Sequence, residues 1–167
     1  MTSDISTDLH NLSHQLHPAR LDLQGLVPTL ESFCRQLSNQ HPLKIRFAHH
    51  GFPCEIPKDV ALCLFRIVQE ALRNVVKHAR TSEANVVLSA HGDTMDLCVS
   101  DSGTGFLVSQ RTGGLGLTSM HERLRLIGGT LTIESKPRNG TRIHAFVPLS
   151  ESFAQSANEP KHCKASA

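Results

Sequence analysis

The run QEALRNVVKHA, residues 69–79, sets an acid, an amide, a lysine and a histidine among aliphatic side chains. With Glu70 at zero and about 100° per residue, Asn74 falls at about 40°, Lys77 at about 340° and His78 at about 80°. Ala61, Leu64, Phe65, Val68, Ala71, Leu72, Val75, Val76 and Ala79 all fall between about 100° and 240°. The run is therefore an amphipathic helix whose apolar arc packs on a sheet. Taken by angle alone, its polar stripe is a solvated face. Two details argue otherwise: Cys63 and Ile67 share the side of Glu70, and Asn is a mediocre helix former that calls for a reason in mid-helix. An amide oxygen beside a carboxylate suits Mg²⁺, a hard cation that prefers oxygen and keeps several waters. A lysine one turn on meets phosphate oxygens as a point charge.

Outward from this helix, the chain alternates between helical and strand periodicity. Ile5, Leu9, Leu12 and Leu16 recur at helical spacing, Pro18 interrupts, and Leu26, Val27, Leu30, Phe33 and Leu37 form a second helical pattern. A strand is expected over 43–47, and Pro57 opens the long helix as its first residue, with the helix running to about Arg80. Two strands, ANVVLSA and MDLCVS, are joined by HGDT, which has hairpin-turn chemistry. A helix from about Leu117, with Met120, Leu124 and Ile127 on one face, stops at Gly128-Gly129. TLTIES and TRIHAFVPL alternate as strands around Asn139-Gly140. This order predicts an α/β (α+β) two-layer sandwich, a mixed and mostly antiparallel sheet with helices on one face.

Composition bounds the function. The chain has 167 residues, 39% of them hydrophobic, no Trp or Tyr, and a formal net charge of +2. That length suits one domain with a core built on Leu, Val, Ile and Phe. The near balance of charge and the lack of Trp and Tyr disfavour nucleic acid as a partner. Five cysteines without a C-x-x-C read as free thiols in a reducing cytosol. No signal-peptide core and no apolar run of about 20 residues is present, so any membrane attachment is expected to come from segments upstream.

Two glycine-rich segments follow the long helix. DSGTGF, residues 101–106, comes directly after a strand, which places Asp101 at a strand end with Gly103 and Gly105 letting the backbone bend. A carboxylate there accepts a hydrogen bond from an exocyclic amine such as that of adenine. Alone, a D-x-G-x-G string is commonly only a turn. TGGLGLTSMHERL, residues 112–124, puts Gly113, Gly114 and Gly116 before a helix, where backbone N–H groups and the helix dipole favour an anion. It is neither a P-loop nor a dinucleotide fingerprint, and alone reads as an ordinary helix start.

Together, QEALRNVVKHA, DSGTGF, GGLGLTSMHERL and NGTRIHAFVPL resemble, in order, the N box, two glycine boxes and closing Gly-Thr of the ATP-binding domain of sensor histidine kinases. That domain belongs to the GHKL ATPase superfamily of gyrase, the ninety-kilodalton heat-shock chaperone and MutL-type repair proteins. The resemblance covers about Leu43 to Leu149. Upstream, LSHQLHPARLDLQGLVPTLESF is similar to the end of the dimerisation region in nitrate-sensor-type kinases.

The resemblance implies a Bergerat-type fold over residues 21–150, a remnant of the second dimerisation helix over 1–20, and a disordered tail over 151–167. It implies that Asn74 ligates Mg²⁺ on the ATP phosphates and that Glu70 is a base or orients water. Lys77 and His78 would contact phosphates, and Asp101 would bind the adenine amine. Gly103 and Gly105 would shape the pocket, Gly114 and Gly116 would offer N–H groups to phosphate, and Leu117 and Thr141 would lie on the nucleotide. It further implies homodimerisation through the dimerisation helices, a response regulator as partner, and a phosphoacceptor histidine outside the chain. DLHN, at Asp8–Asn11, only faintly resembles the acceptor motif, and His10 is read as a non-acceptor.

The chain departs from the family pattern in a short lid between Phe106 and Thr112 and in Ser102, where an acid or amide is common. A serine kinase of the anti-sigma-factor type and a non-catalytic regulatory dimer module are the competing functions. His10, His14 and His17 share a helical face that is read as solvent or packing surface rather than a metal site. Arg123 either reaches phosphates or is a surface arginine.

Overall fold

A computed structural model of the chain describes residues 18–51, 56–108 and 115–149. The expected first helix, His10, His14, His17, Cys54, Gly114, Cys163 and the tail from residue 150 lie outside the described residues. The elements are α1 (Pro18–Gln24), α2 (Leu26–Gln40), β1 (Lys44–His50), α3 (Lys58–Asn74), β2 (Glu83–His91), β3 (Thr94–Asp101), α4 (Leu115–Leu126), β4 (Thr130–Ser135) and β5 (Thr141–Pro148).

The strands form one sheet in the order β1-β2-β3-β5-β4. β1 and β2 are parallel, with Lys44 opposite Glu83. The remaining pairs are antiparallel, and Asp101 stands opposite Thr141 where β3 meets β5. The expected two-layer α/β sandwich is what forms. Period-two alternation decides which face carries the helices. Ala84, Val86, Leu88 and Ala90 of β2, Met95, Leu97 and Val99 of β3, and Ile143, Ala145 and Val147 of β5 are all buried in one core with the helices. Their strand neighbours on the other face are more exposed. Leu64, Leu72, Leu88, Met95 and Leu97 are fully buried, each stabilising the fold by about 1.5–3 kcal/mol.

Helix α3 is buried on two sides. Its expected apolar arc meets the sheet, while Cys63 and Ile67 are covered as well, alongside the buried Met120 and Leu124 of α4. Burial pushes the Cys63 thiol up to about 11 and that of Cys34 to about 12, so both are protonated packing groups. Cys34, Cys63 and Cys98 are free, as expected.

Several boundaries differ from the expectation. Pro57 stands just before α3 rather than opening it, with ψ 138°. Pro18 is helical in α1, as a residue lacking N–H is tolerated in a first helical turn, and the residues before it lie outside the described ones. α4 is already helical at Leu115, the first described residue of that segment. The long helix keeps α geometry only to Asn74, and Val75–Ala79 then form a wider π turn closed by Arg80 in the left-handed region, φ 52°.

Candidate nucleotide site

The π turn matters for where the side chains of QEALRNVVKHA point. An i→i+5 turn takes one more residue to close than a helix with i→i+4 bonds. Each residue of the π turn therefore rotates by less than the about 100° assumed for an α-helix. The lag accumulates and turns Lys77 further from Asn74, while His78 stays near it. Accordingly, Asn74 and His78 both line a cavity of about 270 Å³, whereas the exposed Lys77 does not.

The cavity lies between α3, the end of β3 and the start of α4. Ala71, Val75, Ala79, Val99, Ile143 and Leu117 give it apolar walls, with Phe106 at the glycine loop. Asn74, His78, Asp101, Thr104 and Thr141 supply its polar groups. Ligand pockets run from about 300 to 1,000 Å³, so this one is at the small end.

Asp101 is held at the end of β3 by its own loop. Its Oδ1 accepts the Gly103 N–H at 2.8 Å. Burial pushes its carboxyl above the usual carboxylate range, while hydrogen bonds from the Gly103 and Thr141 N–H groups pull the other way. Across the strand pair, Ser135 gathers the loop ends. Its Oγ accepts the Phe106 N–H at 2.9 Å and is 3.0 Å from both the Gly140 carbonyl, to which it donates, and the Thr141 hydroxyl. Gly103 does not face the cavity. It is buried against Ala79, where a side chain would come within 2.7 Å of the Ala79 Cβ. Gly105, with φ 56°, lines the cavity and lies so close to the backbone of Lys136 and Gly140 that a Cβ would be 2.8 Å from the Gly140 oxygen.

Glu70 lies at the rim rather than in the cavity. Its carboxylate pairs with Arg73, Nε to Oε2 at 3.3 Å. A Cβ on Gly116 would fall on the Glu70 carboxylate, 2.9 Å from its Cδ, so the bare Gly116 lets α4 pass directly over that acid. Glu70, Gly116, Asn74 and His78 thus gather at one end, and Asp101, Gly105 and Thr141 at the other, with Leu117 among the lining residues. Thr104, Phe106 and Ser135 were not singled out in the sequence. Thr104 and Phe106 sit inside DSGTGF, but their partners are 26 and 29 residues away, and nothing local in the chain signals them.

No three His, Cys, Asp or Glu side chains converge as a metal would need among the described residues. No helix among them is long and apolar enough to cross a membrane.

Comparison with known proteins agrees with this geometry. The chain is 31% identical over 150 residues to the signal transduction histidine-protein kinase/phosphatase DegS of Brevibacillus brevis, covering 89% of this chain and 39% of DegS. It is 32% identical over 152 residues to the oxygen sensor histidine kinase NreB of Staphylococcus carnosus, covering 89% of this chain and 44% of NreB. With the sensor histidine kinase MctS of Rhizobium johnstonii the identity is 33% over 164 residues, covering 96% and 34%. The chain therefore spans less than half the length of each relative. In fold it is similar to the histidine kinase domain of the Erythrobacter litoralis EL346 blue-light activated histidine kinase, with TM-score 0.62 and 20% identity over 77% of this chain and 67% of that one. The Acinetobacter baumannii histidine kinase AdeS gives TM-score 0.60 at 12% identity, over 87% and 79%. Residues 59–151, from the start of α3 through the end of β5, match the family described as histidine kinase-, DNA gyrase B-, and HSP90-like ATPase, and the chain belongs to that family.

Proposed function

We propose that the chain is the ATP-binding catalytic part of a two-component sensor histidine kinase of the nitrate-sensor type. In the longer protein it donates the γ-phosphoryl of Mg-ATP to a histidine outside this chain, and a response regulator then takes the phosphoryl. The observation that carries this reading is the apolar slot with Asp101 at one end and Asn74 and Glu70 at the other. The ends are chemically different, as the ends of a nucleoside triphosphate are.

The adenine ring fits the slot between Val99, Ile143 and Leu117, with its amine donating to Asp101. Thr141 supports that end. The triphosphate runs out past Asn74 and His78 toward the start of α4, where Gly116 offers its backbone N–H; Gly114, which the resemblance pairs with it, lies outside the described residues. Lys77, exposed beyond the rim, screens phosphate charge from outside.

The donor set fits Mg²⁺ in the way this ion usually binds nucleotides. A single amide oxygen, from Asn74, is available beside the space for phosphate oxygens, and no protein cage is needed. Bound there, the ion neutralises charge on the transferring group. Phosphoryl transfer depends mostly on positioning and charge stabilisation. Glu70, paired with Arg73 and lying under Gly116, acts as a base or orients water toward the incoming nucleophile. Homodimerisation through upstream helices would bring an acceptor to this rim, and any membrane attachment would also come from upstream.

Calorimetry tests the reading. The chain should bind Mg-ATP, and Asn74→Ala should weaken Mg-ATP by about tenfold, within the range for losing one polar partner. Affinity for adenosine should not change. A folded chain, by circular dichroism, that binds no nucleotide would refute the assignment.

A further inference from the structure

The geometry points to Thr104 as a positioning residue: it holds the π turn Val75–Ala79 in shape and so aims His78, next to Asn74, at the phosphate end of the site. The inference rests on the nucleotide reading above for its ligand, but not for its structural core.

A helix end leaves its last carbonyls without partners. At the end of the π turn two successive carbonyls are taken up by this one residue. The Thr104 hydroxyl donates to the His78 carbonyl at 3.0 Å. Its backbone N–H donates to the Ala79 carbonyl at 2.7 Å. Thr104 is in turn anchored from behind, since its own carbonyl accepts the Arg138 N–H at 2.7 Å in the turn between β4 and β5. Gly103 lets this strap lie flat on Ala79, because any side chain there would meet the Ala79 backbone and Cβ.

The strap therefore spans both ends of the site. One side grips the turn that carries His78; the other joins the turn that leads into Thr141. An α-helical continuation would rotate each residue further, turning Lys77 toward the cavity and shifting His78 relative to Asn74. Two bonds from one residue to adjacent carbonyls hold the wider turn against that relaxation. The hydroxyl is the separable half of the grip. The N–H bond survives any substitution other than Pro, whereas the Oγ bond needs Thr or Ser. Thr104 is exposed on a loop, so replacing it by Val removes the hydroxyl while retaining shape and disturbing no core packing.

The test compares Thr104→Val and Thr104→Ser with the unaltered chain. Amide hydrogen exchange is measured without ligand, and calorimetry is run with Mg-ATP and with adenosine. For Thr104→Val, exchange at Val75–Ala79 should quicken by about two- to tenfold, and Mg-ATP should weaken by a similar factor, the range for one neutral hydrogen bond. Adenosine affinity should fall by less than that of Mg-ATP, and Thr104→Ser should restore both readouts. Unchanged exchange at Val75–Ala79 in Thr104→Val would overturn the inference. So would an equal loss for Mg-ATP and adenosine, which would mean a general loosening of the loop. If the unaltered chain bound neither ligand, the nucleotide reading would fall, and the exchange comparison would still decide whether Thr104 holds the turn.

Discussion

Asp101→Asn should weaken both adenosine and Mg-ATP by about 10- to 150-fold, the equivalent of a charge-assisted hydrogen bond of about 1.5–3 kcal/mol. An ionised carboxylate has two oxygens and no donor. One of them is committed to the Gly103 N–H. The second can accept from an adenine amine. An asparagine that keeps its oxygen on Gly103 presents an NH₂ group to that amine, so donor faces donor. Turning the amide over satisfies the ligand but sets the NH₂ against the Gly103 N–H. Neither orientation restores both bonds. Unchanged affinity for adenosine would remove Asp101 from the base-binding role.

The fold should tolerate this substitution, and pH gives the sign. Burial raises the Asp101 pKa in the folded chain above its unfolded value. A raised pKa means that the folded state holds the proton more tightly. The corresponding stability is fully present below the unfolded value, about 3.9, and is lost as pH rises through the higher folded value. At neutral pH the buried charge is thus a net cost. Asp101→Asn should be no less stable than the unaltered chain in urea at neutral pH, and its relative standing should fall as the pH drops toward 4. Adenosine affinity of the unaltered chain should also fall as pH drops through the raised value, because a protonated oxygen no longer accepts. The variant should lack that pH dependence.

Much of this arrangement could be read from the chain, for identifiable physical reasons. Strands alternate with period two, and their inward residues, Val86, Leu97 and Ala145 among them, are apolar whatever their partners. Glycines mark close approach: a Cβ on Gly105 would meet the backbone of Lys136 and Gly140, and one on Gly116 would meet the Glu70 carboxylate. What could not be read is what depends on distant partners. A helical wheel assumes constant rotation per residue, and the π turn breaks that assumption between Asn74 and His78. Its cause is not in QEALRNVVKHA but in the glycine loop, through Thr104. The wheel also placed Cys63 and Ile67 beside Glu70 without saying why. The reason is α4, which contributes Met120 and Leu124 to the same core. The pairing of Glu70 with Arg73 lies within one helical turn and was legible in principle. The meeting of Asp101 and Thr141 is set by register across β3 and β5, which the strand patterns do not specify.

Gly140→Ala should destabilise the chain by about 2–5 kcal/mol, from a left-handed backbone penalty of about 1–2 kcal/mol and overpacking of about 1–3 kcal/mol. Gly140 is buried with φ 73°. A Cβ there would fall on the Asp101 carbonyl oxygen and lie 2.8 Å from both the Asp101 carbonyl carbon and Ser102 Cα. All three are main-chain atoms at the end of β3, so no side-chain rotation relieves the contact. Relief requires β3 and the β4–β5 turn to part, which pulls Asp101 away from the Gly103 and Thr141 N–H groups that hold it. Whatever remains folded should therefore bind adenosine more weakly as well. Gly92→Ala is the matched control. Gly92 is also left-handed, with φ 55°, but nothing lies within 4 Å of where its Cβ would go. It should cost only the backbone penalty, about 1–2 kcal/mol, and leave adenosine binding untouched. Urea unfolding of both variants separates the two effects. If Gly140→Ala unfolded like Gly92→Ala and bound adenosine normally, close packing at Gly140 could not be what holds Asp101 in place, and the burden would shift to the Ser135 hydroxyl that joins Gly140, Thr141 and Phe106.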